Sequence, residues 1–155
     1  MLGVGAGTAK LSLAEHRAVD VDLNAAFARG LKASGKVKHL CFMSALGADV
    51  TARTTGSGAA GMPRYARVKG ESEAAVVSEG PPLVSIFRPG VIVGSQHTPK
   101  ALAVVLPLLA PLTPAKFRPI RTTQIAAAMV AAGMRRPSVS AIYHYPEMMT
   151  LIAGK

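Results

Sequence analysis

The chain has one cysteine, no tryptophan, three tyrosines, four phenylalanines and only eight acidic residues among 155. A single cysteine excludes an intramolecular disulfide framework and a cysteine-based zinc site. So few aromatic rings argue against a stacking platform for single-stranded nucleic acid. Long apolar runs are also missing. The longest, over residues 101–112, is broken by Pro107 and Pro111 and falls short of the roughly 20 residues that span a bilayer. The opening Met1-Leu2-Gly3-Val4-Gly5 lacks the charged start and extended apolar core of a secretory signal. A cytoplasmic location follows as the expectation, with a mitochondrial one as the alternative. Cys41 lies inside an apolar run and reads as a buried, inert thiol.

What is present is apolar and basic. Half of the residues are hydrophobic and mean hydropathy is +0.32, enough for a sizeable core in one domain and too apolar for a disordered chain. Eighteen Lys and Arg against eight Asp and Glu give a net charge of +10. That excess attracts something anionic: nucleic acid, an acidic membrane surface or a phosphorylated cofactor.

The hydropathy pattern alternates. Val19, Leu23, Ala26, Phe27, Gly30 and Leu31 recur at helical spacing and predict a helix with one apolar face, stopped at Gly35. A strand follows over 37–44, centred on Leu40-Cys41-Phe42-Met43. Residues 47–61 are rich in Gly, Ser, Thr and Ala and read as a loop. Pro63 opens a helix that runs to about Glu79, and Gly80-Pro81-Pro82 ends it. Further strands are expected at 83–87, at 91–93, up to Ile120 and at 141–145, with helices over 124–134 and 147–152. Strands separated by helices predict an α/β fold, a Rossmann-like parallel sheet with flanking helices.

Three features fall at one edge of that sheet. Tyr65 and Lys69 are four apart, on one face of a helix. An ammonium near a phenol stabilises the phenolate and lowers its pKa, which suits proton exchange with a carbonyl or alcohol. Ser44 closes the first strand, and in an open parallel sheet ligands bind at the C-terminal strand ends. Phe87-Arg88-Pro89-Gly90-Val91 turns the chain at the end of the next strand.

These residues resemble the short-chain dehydrogenase/reductase superfamily. The likeness rests on Phe42-Met43-Ser44-Ala45-Leu46-Gly47-Ala48-Asp49, on Tyr65 to Lys69 with Gly70-Glu71-Ser72-Glu73, and on Phe87-Arg88-Pro89-Gly90. Lys38-His39 and Val19-Asp20 fit as well. Within the superfamily the sequence is most similar to the atypical, NmrA-like branch, near the Tat-interactive oxidoreductase-like proteins. The resemblance implies that Ser44 orients the substrate and Tyr65 is the acid/base. Lys69 would bind the nicotinamide ribose and tune Tyr65. It implies a nicotinamide cofactor, NADP(H) favoured over NAD(H), with hydride passing to or from a carbonyl or alcohol substrate. Pro89, Gly90 and Val91 would lie against the nicotinamide end.

The family's phosphate loop has no clear counterpart. Gly3, Gly5 and Gly7 are spaced G-x-G-x-G, with Thr8 where the next glycine of G-x-G-x-x-G is displaced, and no strand precedes them. Between Gly7 and Ser44 there is room for one helix and one strand only. Residues 3–8 therefore read as the end of the family's fourth strand, with Gly3 and Gly5 passing the cofactor. The first three strands are expected to be absent, leaving an N-terminally truncated, partial NAD(P)-binding domain over 1–155. Its part from 95 to 155 would face the substrate. An open sheet edge would invite a protein partner or a second copy of the chain. His16, His39, His97 and His144 have no metal spacing and are read as structural, and no metal site is assigned. Gln96, His97 and Lys100 are weaker pocket candidates. A nucleic-acid module is disfavoured for want of any recognisable motif. The alternative function is a non-catalytic regulator or binding scaffold that keeps the Rossmann-like fold.

Overall fold

Strand β1 (His39–Met43) forms where an apolar stretch follows a helix-stopping glycine, and strand β2 (Leu83–Phe87) where Pro81-Pro82 releases the chain from a helix. The computed structural model describes residues 6–93, 114–135 and 137–154. β1 pairs in parallel with β2, in the register His39 to Leu83 through Met43 to Phe87. β2 pairs in parallel with a third strand, Ala141–Tyr143, so the order of this sheet is first, second, last. Two shorter strands, β3 (Ile92–Val93) and β4 (Ile120–Arg121), form a separate parallel pair, and Ala141–Tyr143 is then β5. The expected α/β class with a parallel sheet is what the structure has.

Helices cover both faces, as parallel sheets require. Before β1 the chain forms α1 (Leu13–Arg17), a π turn (Ala18–Asp22) and α2 (Leu23–Ala33). α3 (Pro63–Glu79) joins β1 to β2, α4 (Thr122–Arg135) follows β4, and α5 (Tyr145–Ile152) follows β5. Alternation along β2 divides the core. Val84 and Ile86 pack with Phe42, Ala28 of α2 and Val76 of α3. Phe87 packs on the other face with Ile125, Ala128 and Ala132 of α4 and with Met148 and Leu151 of α5. Its ring stacks on Tyr143, with centroids 5.0 Å apart.

Two expectations need correction. The helix before β1 does not bury the face that hydropathy picked out. Leu23 and Phe27 are 44% and 49% exposed, whereas His16, Asp20, Asn24, Ala25 and Ala28 are buried. The polar residues face inward because α3 offers them partners: Ser72 Oγ donates to the Asp20 carbonyl and Lys69 pairs with its carboxylate. Residues 6–8 are not a strand end either. Ala6–Lys10 is a 3-10 helix, closed by Leu11 N–H donating to the Thr8 carbonyl and pinned by Thr8 Oγ1 donating to the Gly58 carbonyl at 2.7 Å. Gly3 and Gly5 lie outside the described residues, as do Gln96, His97 and Lys100.

Beside β1 runs an apolar groove of about 450 Å³. Phe27 of α2, Cys41 and Met43 of β1, and Ile125 and Met129 of α4 line it. Among the described residues β1 has a strand neighbour on one side only. Burial pushes the Cys41 thiol above its ordinary pKa, in keeping with an inert thiol, but the residue is half-buried rather than buried as expected from sequence.

Candidate active site

Ser44 is the first residue after β1 and is 6% exposed. Its N–H donates to the Phe87 carbonyl at 2.8 Å, and Leu46 N–H donates to the Pro89 carbonyl at 2.9 Å. The two strand-end loops thus continue the sheet ladder, which brings Ser44 alongside the Arg88-Pro89-Gly90 turn. The Ser44 hydroxyl is buried and meets no hydrogen-bond partner among the described residues. A buried hydroxyl left unpaired is costly, and such a group is a common mark of a site made for a ligand. Pro89 is buried, Gly90 is half-buried against Leu46, and Val91 is 46% exposed, its carbonyl taken by Ile120 N–H.

Tyr65 and Lys69 stand one turn apart near the start of α3, where Pro63 supplies the first helical residue. The structure brings them together: Lys69 Nζ lies 5.5 Å from the Tyr65 ring centroid. The loop that carries Ser44 then crosses α3 beside Lys69. Asp49 N–H donates to the Ala66 carbonyl at 2.9 Å, and a Cβ on Gly70 would stand 2.5 Å from the Asp49 carbonyl carbon. Only glycine allows that approach, so Gly70 sets how near the Ser44 loop comes to the Tyr65–Lys69 face.

The electrostatics differ from the sequence expectation. Lys69 does not spend its charge on the phenol alone, because its Nζ is 3.1 Å from Asp20 Oδ2. The Tyr65 phenol is pushed above its ordinary pKa, first by burial and then by the Asp20 charge. The expected lowering of Tyr65 is therefore overturned.

Sequence reasoning also passed over His16, read as structural. Its ring is fully buried, tilted at 35° to the Tyr65 ring with centroids 6.2 Å apart, and its Nε2 is 3.1 Å from Asp20 Oδ2. The carboxylate accepts, so Nε2 carries the proton and donates. Burial holds this histidine below its ordinary pKa against the opposing pull of Asp20, with Lys69 and Arg64 lowering it further. Gly58 backs the ring: a Cβ there would be 2.9 Å from His16 Nδ1 and 3.0 Å from Arg64 Nη2. The signal that could have revealed this cluster is the i, i+4 spacing of His16 and Asp20 ahead of Asn24.

Ion pairs brace the surrounding helices. Arg17 of α1 makes two hydrogen bonds to Glu71 of α3, at 2.7 and 2.6 Å, and Arg67 adds a third at 2.6 Å. These hold Glu71 below the usual carboxylate range. Arg88, just past β2, is paired in the same fork-like way with Glu73 at 2.9 and 2.5 Å, which fixes the start of the Pro89-Gly90 turn. Among the described residues no group of three or more His, Cys, Asp or Glu could hold a metal ion, and no helix is long and apolar enough to cross a membrane.

No protein-family model and no curated protein matches the chain. Solved structures do. MoeE5 in complex with UDP-glucose and NAD is 12% identical, with a TM-score of 0.62 over 99% of this chain and 60% of that one. The UDP-N-acetylglucosamine 4-epimerase of Methanobrevibacter ruminantium M1, in complex with UDP-N-acetylmuramic acid, is 13% identical, with a TM-score of 0.61 over 93% of this chain and 53% of that one. The Bordetella bronchiseptica enzyme WbmG, in complex with NAD and UDP, is 18% identical, with a TM-score of 0.56 over 91% of this chain and 48% of that one. The chain therefore shares the α/β fold of these three proteins and spans about half to three-fifths of their length.

Proposed function

We propose that the chain is an NAD(P)-dependent oxidoreductase of the short-chain dehydrogenase/reductase superfamily, of its atypical, NmrA-like branch. It would pass hydride between nicotinamide and a carbonyl or alcohol substrate. One observation carries the reading. A tyrosine and a lysine are stacked on α3, 5.5 Å from ring centroid to ammonium, and the loop bearing a buried, unpartnered serine hydroxyl crosses that helix one residue beyond the lysine.

The residues present fit a nicotinamide nucleotide. An ammonium has three N–H donors, and Asp20 takes one of Lys69's, so two can meet ribose hydroxyls. Pro89, Gly90 and Val91, at the same sheet edge, would lie against the nicotinamide end. The cofactor supplies the hydride. Tyr65 exchanges the proton at the substrate oxygen, and Ser44 Oγ donates to that oxygen, gaining the partner it otherwise lacks. Tyr65 enters the reaction as the protonated phenol, the form that can give its proton to a carbonyl oxygen, and burial makes it a weaker proton donor than an ordinary phenol.

Two of the structural neighbours hold NAD and all three hold a uridine nucleotide or nucleotide sugar, so UDP-linked sugars are the first alcohols to test. NADP(H) is preferred over NAD(H) in this reading, and the described C-terminal residues 114–135 and 137–154 would contribute to the substrate side. A protein partner or a second copy would cover the edge of β1 that has no strand neighbour among the described residues. The second reading is a non-catalytic binding scaffold, which the raised Tyr65 phenol and the Lys69–Asp20 pair favour.

Titrating the protein with NADPH and NADH by nicotinamide fluorescence, then following carbonyl reduction, separates the two. Tyr65→Phe should keep cofactor affinity and lose about 100-fold or more in kcat. Absence of nicotinamide binding, or turnover unchanged by Tyr65→Phe, sinks the enzyme reading.

A further inference from the structure

We propose that Asp20 is the positioning residue of this site: it grips the Lys69 ammonium beside the Tyr65 ring and, with His16 behind it, sets how much of that charge the phenol feels. This rests on the proposed roles of Tyr65 and Lys69 and adds the group that controls them.

Asp20 is held at its backbone carbonyl and at one carboxylate oxygen. It is 1% exposed and lies on the π turn, where Leu23 N–H reaches back five residues to the Ala18 carbonyl. Such turns are rare and recur at functional sites. The Asp20 carbonyl accepts from the Asn24 amide at 2.8 Å and from the Ser72 hydroxyl. Its Oδ2 accepts from His16 Nε2 and from Lys69 Nζ, both at 3.1 Å, and its Oδ1 is buried without a partner. A carboxylate so buried is tolerated only beside a cation, and the cation here is Lys69, itself 17% exposed. A lysine stem is long and loosely restrained, so an anchored counter-charge is what gives its ammonium one place to be.

Among the described residues the charges near the phenol are few. α3 contributes Lys69 and Arg64, the π turn contributes Asp20, and α1 contributes His16, which burial keeps neutral. Arg64 is directed to the Leu11 carbonyl at 2.7 Å. At Tyr65 burial and then the Asp20 charge both raise the phenol, and the ammonium 5.5 Å from its ring is the one Asp20 holds.

Near-ultraviolet titration of the phenols tests this without cofactor or substrate. The difference between the wild-type protein and Tyr65→Phe isolates Tyr65 from Tyr143 and Tyr145. Asp20→Asn, close to isosteric, should lower the Tyr65 midpoint by about one pH unit, because the opposing charge is gone and the ammonium is released toward the ring. In a Lys69→Met background the same substitution should shift the midpoint less. A midpoint that stays put or rises in Asp20→Asn overturns the proposal. Should Asp20→Asn lose its circular-dichroism signature, the wild-type protein decides. A held ammonium gives a protected nitrogen–proton resonance that vanishes in Lys69→Met, and finding no such resonance overturns the assignment. A protein that binds no nicotinamide would defeat the proposed function and leave this titration standing.

Discussion

At the scale of single residues, the buried imidazole of His16 couples the site to folding. Its ordinary pKa is 6.5, and burial lowers it in the folded chain. Between the lowered value and 6.5 the unfolded state binds more protons, so stability is fully present above about 6.5 and is lost as pH falls below it. His39, also lowered by burial, adds the same sign, while Glu71, lowered by its arginines, begins to cost stability only under its ordinary 4.5. We expect urea midpoints to fall between pH 7 and about 5.5, and His16→Gln to flatten that slope without removing it, as His39 remains. Tyr65 and Lys69 were legible in the sequence because their spacing repeats a helical turn. Ser44 was legible because it ends an apolar strand. His16 and Asp20 were not legible as one cluster. Hydropathy assigns polar residues outward, and only the partners on α3 reverse that assignment.

At the scale of elements, α3 decides the site. It packs its Val68, Ser72 and Val76 inward, presents Tyr65 and Lys69 at its first two turns, and lets the Ser44 loop cross at Gly70. A methyl group at that crossing would meet loop backbone, which cannot swing aside as a side chain can. Gly70→Ala should therefore cost about 2 kcal/mol, read from urea denaturation, and should weaken any activity more than its stability loss explains. The bounds of α3 and β2 followed directly from the sequence. Pro63, Gly80 and the paired prolines punctuate the chain at positions where the backbone has few alternatives. The helix before β1 was harder, because its apolar residues Leu23 and Phe27 are the exposed ones and Phe27 lines a groove rather than a core.

At the scale of the whole molecule, β2 is the shared wall between two helix layers. Phe87, fully buried, belongs to one layer, while its strand neighbours Val84 and Ile86 serve the other. Phe87→Ala should cost about 3 to 5 kcal/mol, whereas Phe27→Ala, on the groove, should change stability by less than about 0.5 kcal/mol, both read from urea curves. The class of fold was legible from alternating strands and helices. The pairing of β1 with β2 and of β2 with β5 joins segments far apart in the chain, which hydropathy alone does not register. The ion pairs carry a last consequence, for how the sequence can drift. Asp20, Glu71, Glu73 and Glu79 each tie two separate segments together, through Lys69, Arg17, Arg88 and Arg29. That is half of the eight acidic residues, set against eighteen bases. Losing a base elsewhere leaves a surplus, whereas losing one of these acids unfastens a helix and deepens the charge imbalance at once. Mutational tolerance is therefore lopsided at these four ties, where losing the carboxylate breaks the contact and adds to the positive surplus while losing its base breaks the contact and reduces it.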